Sequence, residues 1–136
     1  MVEVNIIYQG QLHCEATHAP SGAVIQTDAP RDNMGKGQSF SPTDLVATAL
    51  GSCILTVMGI AARKLGIDLS GVTVKVNKEM LQSPVRRIDK LAVEVDFPIA
   101  VSNEHKKIFE HAAHTCPVHK SLNPEILMPI NFNYQA

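Results

Sequence analysis

No block of like charge runs through this sequence. Lysine plus arginine number 12 against 13 aspartates and glutamates, a net charge of −1. That balance excludes nucleic acid or an anionic membrane surface as the main partner. A long unbroken apolar run is also missing. The richest stretch, residues 45–62, is interrupted by Thr48, Ser52 and Thr56, and no membrane span is expected from it. The opening MVEVNIIYQG has an early acidic residue and no basic segment, so no secretory leader is expected. Cysteine is scarce. Three residues are too few for a disulfide framework, and an odd number suits a reducing compartment, so a cytoplasmic location is expected. Repeats, linkers and low-complexity segments are absent too. What remains is 136 residues, 45% apolar and 18% charged, which predicts one domain over residues 1–136 with a core of its own.

Val2, Val4, Ile6 and Tyr8 alternate with polar or neutral positions, the period of a half-buried strand. Residues 12–17 predict a second strand. After the turn signal Ala19-Pro20-Ser21-Gly22, residues 23–27 predict a third. Residues 28–40, DAPRDNMGKGQSF, read as a long, glycine-containing and mobile loop, of a kind that often carries function.

A helix is predicted from Pro42 to about Leu65. Ser41 is its N-cap, Pro42 suits the first helical position, and Asp44 completes a capping-box-like signal. Arg63 and Lys64 complement the dipole at the far end, where Gly66 can take the left-handed conformation. The middle, LVATALGSCILTVMGIAA, is apolar or small all the way round, which predicts burial on every side. One small chain can hardly enclose so long a helix, so a partner chain is expected to cover it. Val72, Val74 and Val76, then Leu91, Val93, Val95 and Phe97, predict an antiparallel pair joined by residues 82–87. A second helix starts near Ser102, with Ile108, Ala112 and Cys116 beside Phe109 and Ala113 on one apolar face. Pro117 ends it and can open a short further turn through Leu122. Ile130, Phe132 and Tyr134 predict a last strand. The order βββ-α-ββ-α-β is an α+β arrangement with a long buried central helix.

Chemistry, if present, rests on cysteine. Cys53 lies mid-helix, where the bland reading is a small core residue. Desolvation there raises a thiol pKa, so reactivity requires a nearby cation or donor. Cys116 falls where one helix ends and Pro117 can begin another. At such an N-cap the unpaired N–H groups favour a thiolate, and His114, His119 and Lys120 add positive potential. The alternative is a buried residue on the Ile108/Ala112 face. Cys14, in the strand segment LHCEA, has no local activating feature. The cluster His111, His114, Cys116, His119 suggests zinc by ligand type. Its spacing, H-x2-H-x-C-x2-H, matches no strong template, and Pro117 redirects the chain inside it, so no metal is expected.

Two segments carry a resemblance. SPTDLVATALGSC, residues 41–53, resembles the helix start and first cysteine of the OsmC/Ohr superfamily, the osmotically inducible and organic hydroperoxide resistance proteins. AAHTCPVHKSL, residues 112–122, is similar to that family's second, Cys-Pro motif. With the element order, the resemblance covers essentially the whole chain. It implies an intertwined homodimer whose sheets wrap paired central helices. It also implies cofactor-free, thiol-dependent reduction of small organic hydroperoxides. Cys53 matches the peroxidatic cysteine and Cys116 the resolving one, with a dithiol, of lipoyl type for example, as reductant.

The chain departs from the family pattern at two points. Thr43 stands where the hydroperoxide-resistance branch has a glutamate, and its neighbour Asp44 matches an acidic position of other branches. Nine residues turn a helix by about 900° and advance it about 13 Å, so Asp44 can reach only a partner chain's Cys53. The family's activating arginine lies within the early strands, yet no arginine precedes Arg31 here. Arg31 and Lys36 are the candidate replacements. The retained cysteine pair favours a peroxidase. The missing early arginine favours a non-catalytic protein holding a hydrophobic ligand in the dimer cleft, or a thiol redox sensor.

Overall fold

A hairpin opens the chain, and its turn is unusual. In the computed structural model, which describes residues 1–135, Gly10, Gln11 and Leu12 all have positive φ, of 87°, 55° and 61°. Such angles are common for glycine and rare for the other two. They join β1 (Val4–Gly10) to β2 (His13–His18), and the Leu12 N–H donates to the Tyr8 hydroxyl at 3.3 Å. β3 (Val24–Asp28) returns antiparallel on the other side of β2, giving the sheet order β1-β2-β3. These elements and the loop after them form the first of two compact units, Met1–Val46.

The loop after β3 carries more local structure than its composition predicts. Arg31–Asn33 form a 3-10 turn. The Ala29 N–H donates to the Leu12 carbonyl, the Gly35 N–H to Pro30, and the Gly37 N–H to Ala29. Lys36 Nζ donates to Gln11 Oε1 at 2.6 Å, and the Ser39 hydroxyl to the Gln26 carbonyl at 3.0 Å. A Cβ at Gly35 would fall 1.7 Å from the Ala29 carbonyl oxygen, so only glycine lets the backbone close here.

β1 differs from the half-buried strand its alternation predicts. Val4, Ile6, Ile7 and Tyr8 are each 50% or more exposed, whichever way they point.

The second unit, Ala47–Ala136, takes up most of α1 (Pro42–Lys64). The helix starts with a reciprocal capping box. The Ser41 N–H donates to Asp44 Oδ2 at 2.9 Å, and the Asp44 N–H donates to the Ser41 hydroxyl at 3.1 Å. It ends in a Schellman arrangement around Gly66, whose φ is 70°, with the Ile67 N–H on the Ala62 carbonyl and the Gly66 N–H on Arg63. Only one stripe of the helix is buried: Ala47, Leu50, Gly51, Ile54, Met58 and Ala62. The expectation of burial on every side therefore fails within one chain; Ile60 remains 53% exposed. By length and composition α1 could cross a membrane, a test that a core helix also passes.

β4 (Thr73–Leu81) pairs antiparallel with β5 (Arg87–Asp96), and β6 (Ile130–Asn133) lies parallel on its far edge, so the order is β4-β5-β6. β5 is central and alternates buried Leu91, Val93 and Val95 with the less buried Ala92, Glu94 and Asp96, the pattern of a strand with one face in the core. α1 approaches β4 closely at Gly51, where a Cβ would lie 3.1 Å from Val76 and 3.2 Å from Val74. α2 (Asn103–His114) begins at Ser102, whose hydroxyl accepts the His105 N–H. Its buried face is Phe109 and Ala113, continued by Cys116, rather than Ile108, which is 37% exposed. Phe109 stacks with Phe97 at 6.2 Å between ring centroids. With α3 (Pro117–Ser121) the order is the expected α+β succession.

Candidate active site

Cys116 takes its place from the residues around it. The Thr115 hydroxyl bonds back to the His111 carbonyl at 2.8 Å and closes α2. Pro117, which has no N–H to lose, opens α3. Between them Cys116 adopts extended backbone (φ −63°, ψ 145°) and caps α3, its sulfur accepting the His119 N–H at 3.3 Å. The N-cap expected from the Cys-Pro sequence is present.

The acidity expected from it is not. Burial is the largest influence on Cys116 and pushes its thiol up from the ordinary value of 9.0. The His119 amide pulls it down, the hydrogen bond and charge of Cys53 push it up again, and the Val118 amide pulls it down. Desolvation and the second thiol outweigh two amide donors, so Cys116 keeps its proton. Its exposure is 0%, whereas Cys53, on α1, is half-buried.

Cys53 and Cys116 are neighbours, close enough for Cys53 to push the Cys116 thiol up, and both are free thiols. Such a pair can pass between dithiol and disulfide without a cofactor.

Three other predicted residues, Asp44, Arg31 and Cys14, belong to the first unit. Asp44 is committed to the capping box at the start of α1. Arg31 lies along the first unit's loop, its Nε donating to the Lys36 carbonyl at 3.3 Å. Cys14 is half-buried on β2, opposite Tyr8 on β1 and Thr27 on β3. His114 and His119 meet edge to face at 6.4 Å. Burial, with His114 and Lys120 nearby, pushes the His119 imidazole down from 6.5. Among the described residues no group of three or more His, Cys, Asp or Glu is placed to hold a metal ion.

Sequence reasoning missed one pair. His13 Nδ1 donates to Asp28 Oδ1 at 2.5 Å, and Asp28 Oδ2 accepts the Gln38 N–H at 3.0 Å. Asp28 is 5% exposed, and the His13 hydrogen bond holds its carboxyl below the ordinary 3.8. The signal was the strand register: His13 and Asp28 are cross-strand partners at the end of β2 and β3.

Comparison with known proteins gives this geometry a context. The model of a family described as OsmC-like protein matches residues 35–130. No curated protein matches the chain. Among solved structures, a Psychrobacter arcticus protein described as a candidate osmotic stress induced and detoxification response protein is 44% identical. It superposes with a TM-score of 0.93 over 98% of this chain and 96% of that one. The organic hydroperoxide resistance protein OsmC of Legionella pneumophila is 15% identical, with a TM-score of 0.78 over 98% and 96%. The organic hydroperoxide resistance protein OhrB of Bacillus subtilis is 17% identical, with a TM-score of 0.69 over 98% of each chain. The last two establish a shared fold.

Proposed function

This chain is a member of the OsmC-like protein family, and on that premise we propose that it is a thiol peroxidase reducing organic hydroperoxides through Cys53 and Cys116. The observation that carries the reading is the neighbouring pair of a half-buried thiol and a fully buried one that burial keeps protonated. The Cys53 thiolate attacks the terminal peroxide oxygen. The O–O bond breaks, the alkoxide leaves and is protonated to an alcohol, and Cys53 becomes a sulfenic acid. The Cys116 sulfur then attacks the Cys53 sulfur. The S–O bond breaks, and the departing hydroxide takes the Cys116 proton as water. A dithiol restores both thiols by exchange.

The working unit in this reading is a cytoplasmic homodimer. Support comes from the bare faces of β1 and the uncovered side of α1, apolar surface of a kind that marks an interface. A partner also brings the two supporting residues into play: Asp44 and Arg31 of one chain are proposed to act on the Cys53 of the other. A second reading, a carrier of a hydrophobic ligand, draws on the cleft beside the end of α1, where Leu55, Ile60, Ile67 and Leu69 share the lining with the polar Arg63 and Asp68.

The test is peroxide consumption with a dithiol present. Cys53→Ser is expected to abolish turnover of an organic hydroperoxide, and Cys14→Ser to leave it unchanged. Equal loss in both variants, or no turnover in the wild type, removes the peroxidase reading.

A further inference from the structure

Once Cys53 and Cys116 are joined, something must open the bond, and the two sulfurs are not equally open to attack. Cys116 has 0% exposure, and every atom that covers it belongs to its own chain. An additional subunit can only bury it further. Cys53 keeps part of its surface. Exchange requires the incoming sulfur to approach in line behind the sulfur it attacks, so access selects which one is captured.

Leaving ability is the competing consideration, because the better leaving thiol is the more acidic one. Burial disfavours a thiolate at Cys116, but two amides, of His119 and Val118, oppose it. The influence of Cys53 on Cys116 acts through a neighbouring thiol or thiolate, and Cys53 is neither while bound to a reductant. Cys116 therefore leaves more easily than its resting state suggests, with the His119 N–H already on its sulfur at 3.3 Å. Access and leaving geometry point the same way.

Resting on the disulfide chemistry proposed above, we infer that the reductant attacks Cys53 and never Cys116, so that the mixed disulfide forms on Cys53 and Cys116 departs as the thiolate. The attacking thiolate bonds to the Cys53 sulfur, and the electron pair of the broken S–S bond goes to Cys116, which then takes up a proton. The second thiol of a dithiol displaces Cys53 as its thiolate. The dithiol is thereby oxidised by two electrons to its disulfide and both cysteines are reduced. Cys53 meets the oxidant and the reductant in turn, while Cys116 bonds to neither.

The experiment needs no peroxide. Cys14→Ser protein is oxidised with diamide to the Cys53–Cys116 disulfide, checked by peptide mass, and treated briefly with limiting 2-mercaptoethanol. Acid quenching, maleimide labelling and digestion then locate the adduct. It is expected on Cys53, with maleimide on Cys116, by at least about ten to one, a ratio that local opening sets. In urea the preference is expected to fall toward parity. An adduct on Cys116, an even split in the native protein, or failure of diamide to join the two cysteines overturns the inference. Retained selectivity in a protein without peroxide turnover removes the peroxidase reading and leaves this one standing.

Discussion

Cys53, half-buried on α1, and Cys116, wholly buried at the start of α3, are neighbours although far apart in sequence, and Cys53 helps push the Cys116 thiol up. Their surroundings differ: burial pushes the Cys116 thiol up, while Cys53 keeps part of its surface. Elsewhere in the second unit α1 approaches β4 closely at Gly51, and Phe109 anchors α2 on Phe97.

Alkylation reads the asymmetry directly. Under native conditions iodoacetamide is expected to modify Cys116 at least about ten-fold more slowly than Cys53, because Cys116 is both protonated and covered. Timed quenching and peptide mass spectrometry measure the order. Cys116 reacting first would contradict it.

Arg31→Ala tests the proposed trans-acting cation. Arg31 is exposed, and its guanidinium is permanently charged. Its loss is expected to slow Cys53 alkylation at neutral pH by several-fold, without changing Cys14. An unchanged Cys53 rate removes Arg31 from the site and shifts weight to the ligand-carrier reading.

Asp28→Asn probes the clasp on the loop. The Asp28 carboxyl is held below its ordinary 3.8, chiefly by His13. A depressed carboxyl stabilises the fold above the ordinary aspartate pKa, and that stability is lost as pH falls through the lower folded value. Wild type is therefore expected to exceed the variant in urea midpoint at neutral pH, with the gap closing only below about pH 4. A gap constant down to strong acid would mean that the carboxylate charge plays no part.

The second unit's core makes a packing prediction. Phe109 is fully buried, and Phe109→Ala is expected to cost about 3–5 kcal/mol in urea unfolding. Gly51→Ala sets a helix-propensity gain of about 1 kcal/mol against contacts 3.1 and 3.2 Å from two valines. Those valines are held in a paired strand, so overpacking wins and the variant is expected to lose about 1 kcal/mol. A rise in stability would show that β4 gives way.

What the sequence made legible was local. The Ser41 and Asp44 capping box, the Gly66 end of α1 and the Cys116-Pro117 start of α3 each follow from a few neighbouring residues. What it hid depends on contacts across the chain. The acidity of Cys116 looked set by helix-start amides, until burial and the approach of Cys53 outweighed them. The loop over residues 29–40 looked mobile because its anchors, Leu12 and Gln11, sit in a distant turn held at positive φ. The face of α2 is one residue off the Ile108 stripe because Phe109 found Phe97 to stack on. The exposure of β1 and of one side of α1 likewise depends on packing that alternation and composition alone do not report.

The most direct test of the cysteine pair is a single oxidation. Reduced Cys14→Ser protein receives one equivalent of cumene hydroperoxide and is acid-quenched, and its mass and peptides are read. The account predicts the loss of two hydrogens and a linked Cys53–Cys116 peptide, with a dimedone-trappable sulfenic acid on Cys53 when Cys116→Ser is added. Oxidation of Cys53 to a sulfinic acid with Cys116 left free, or no oxidation of either thiol, would contradict it.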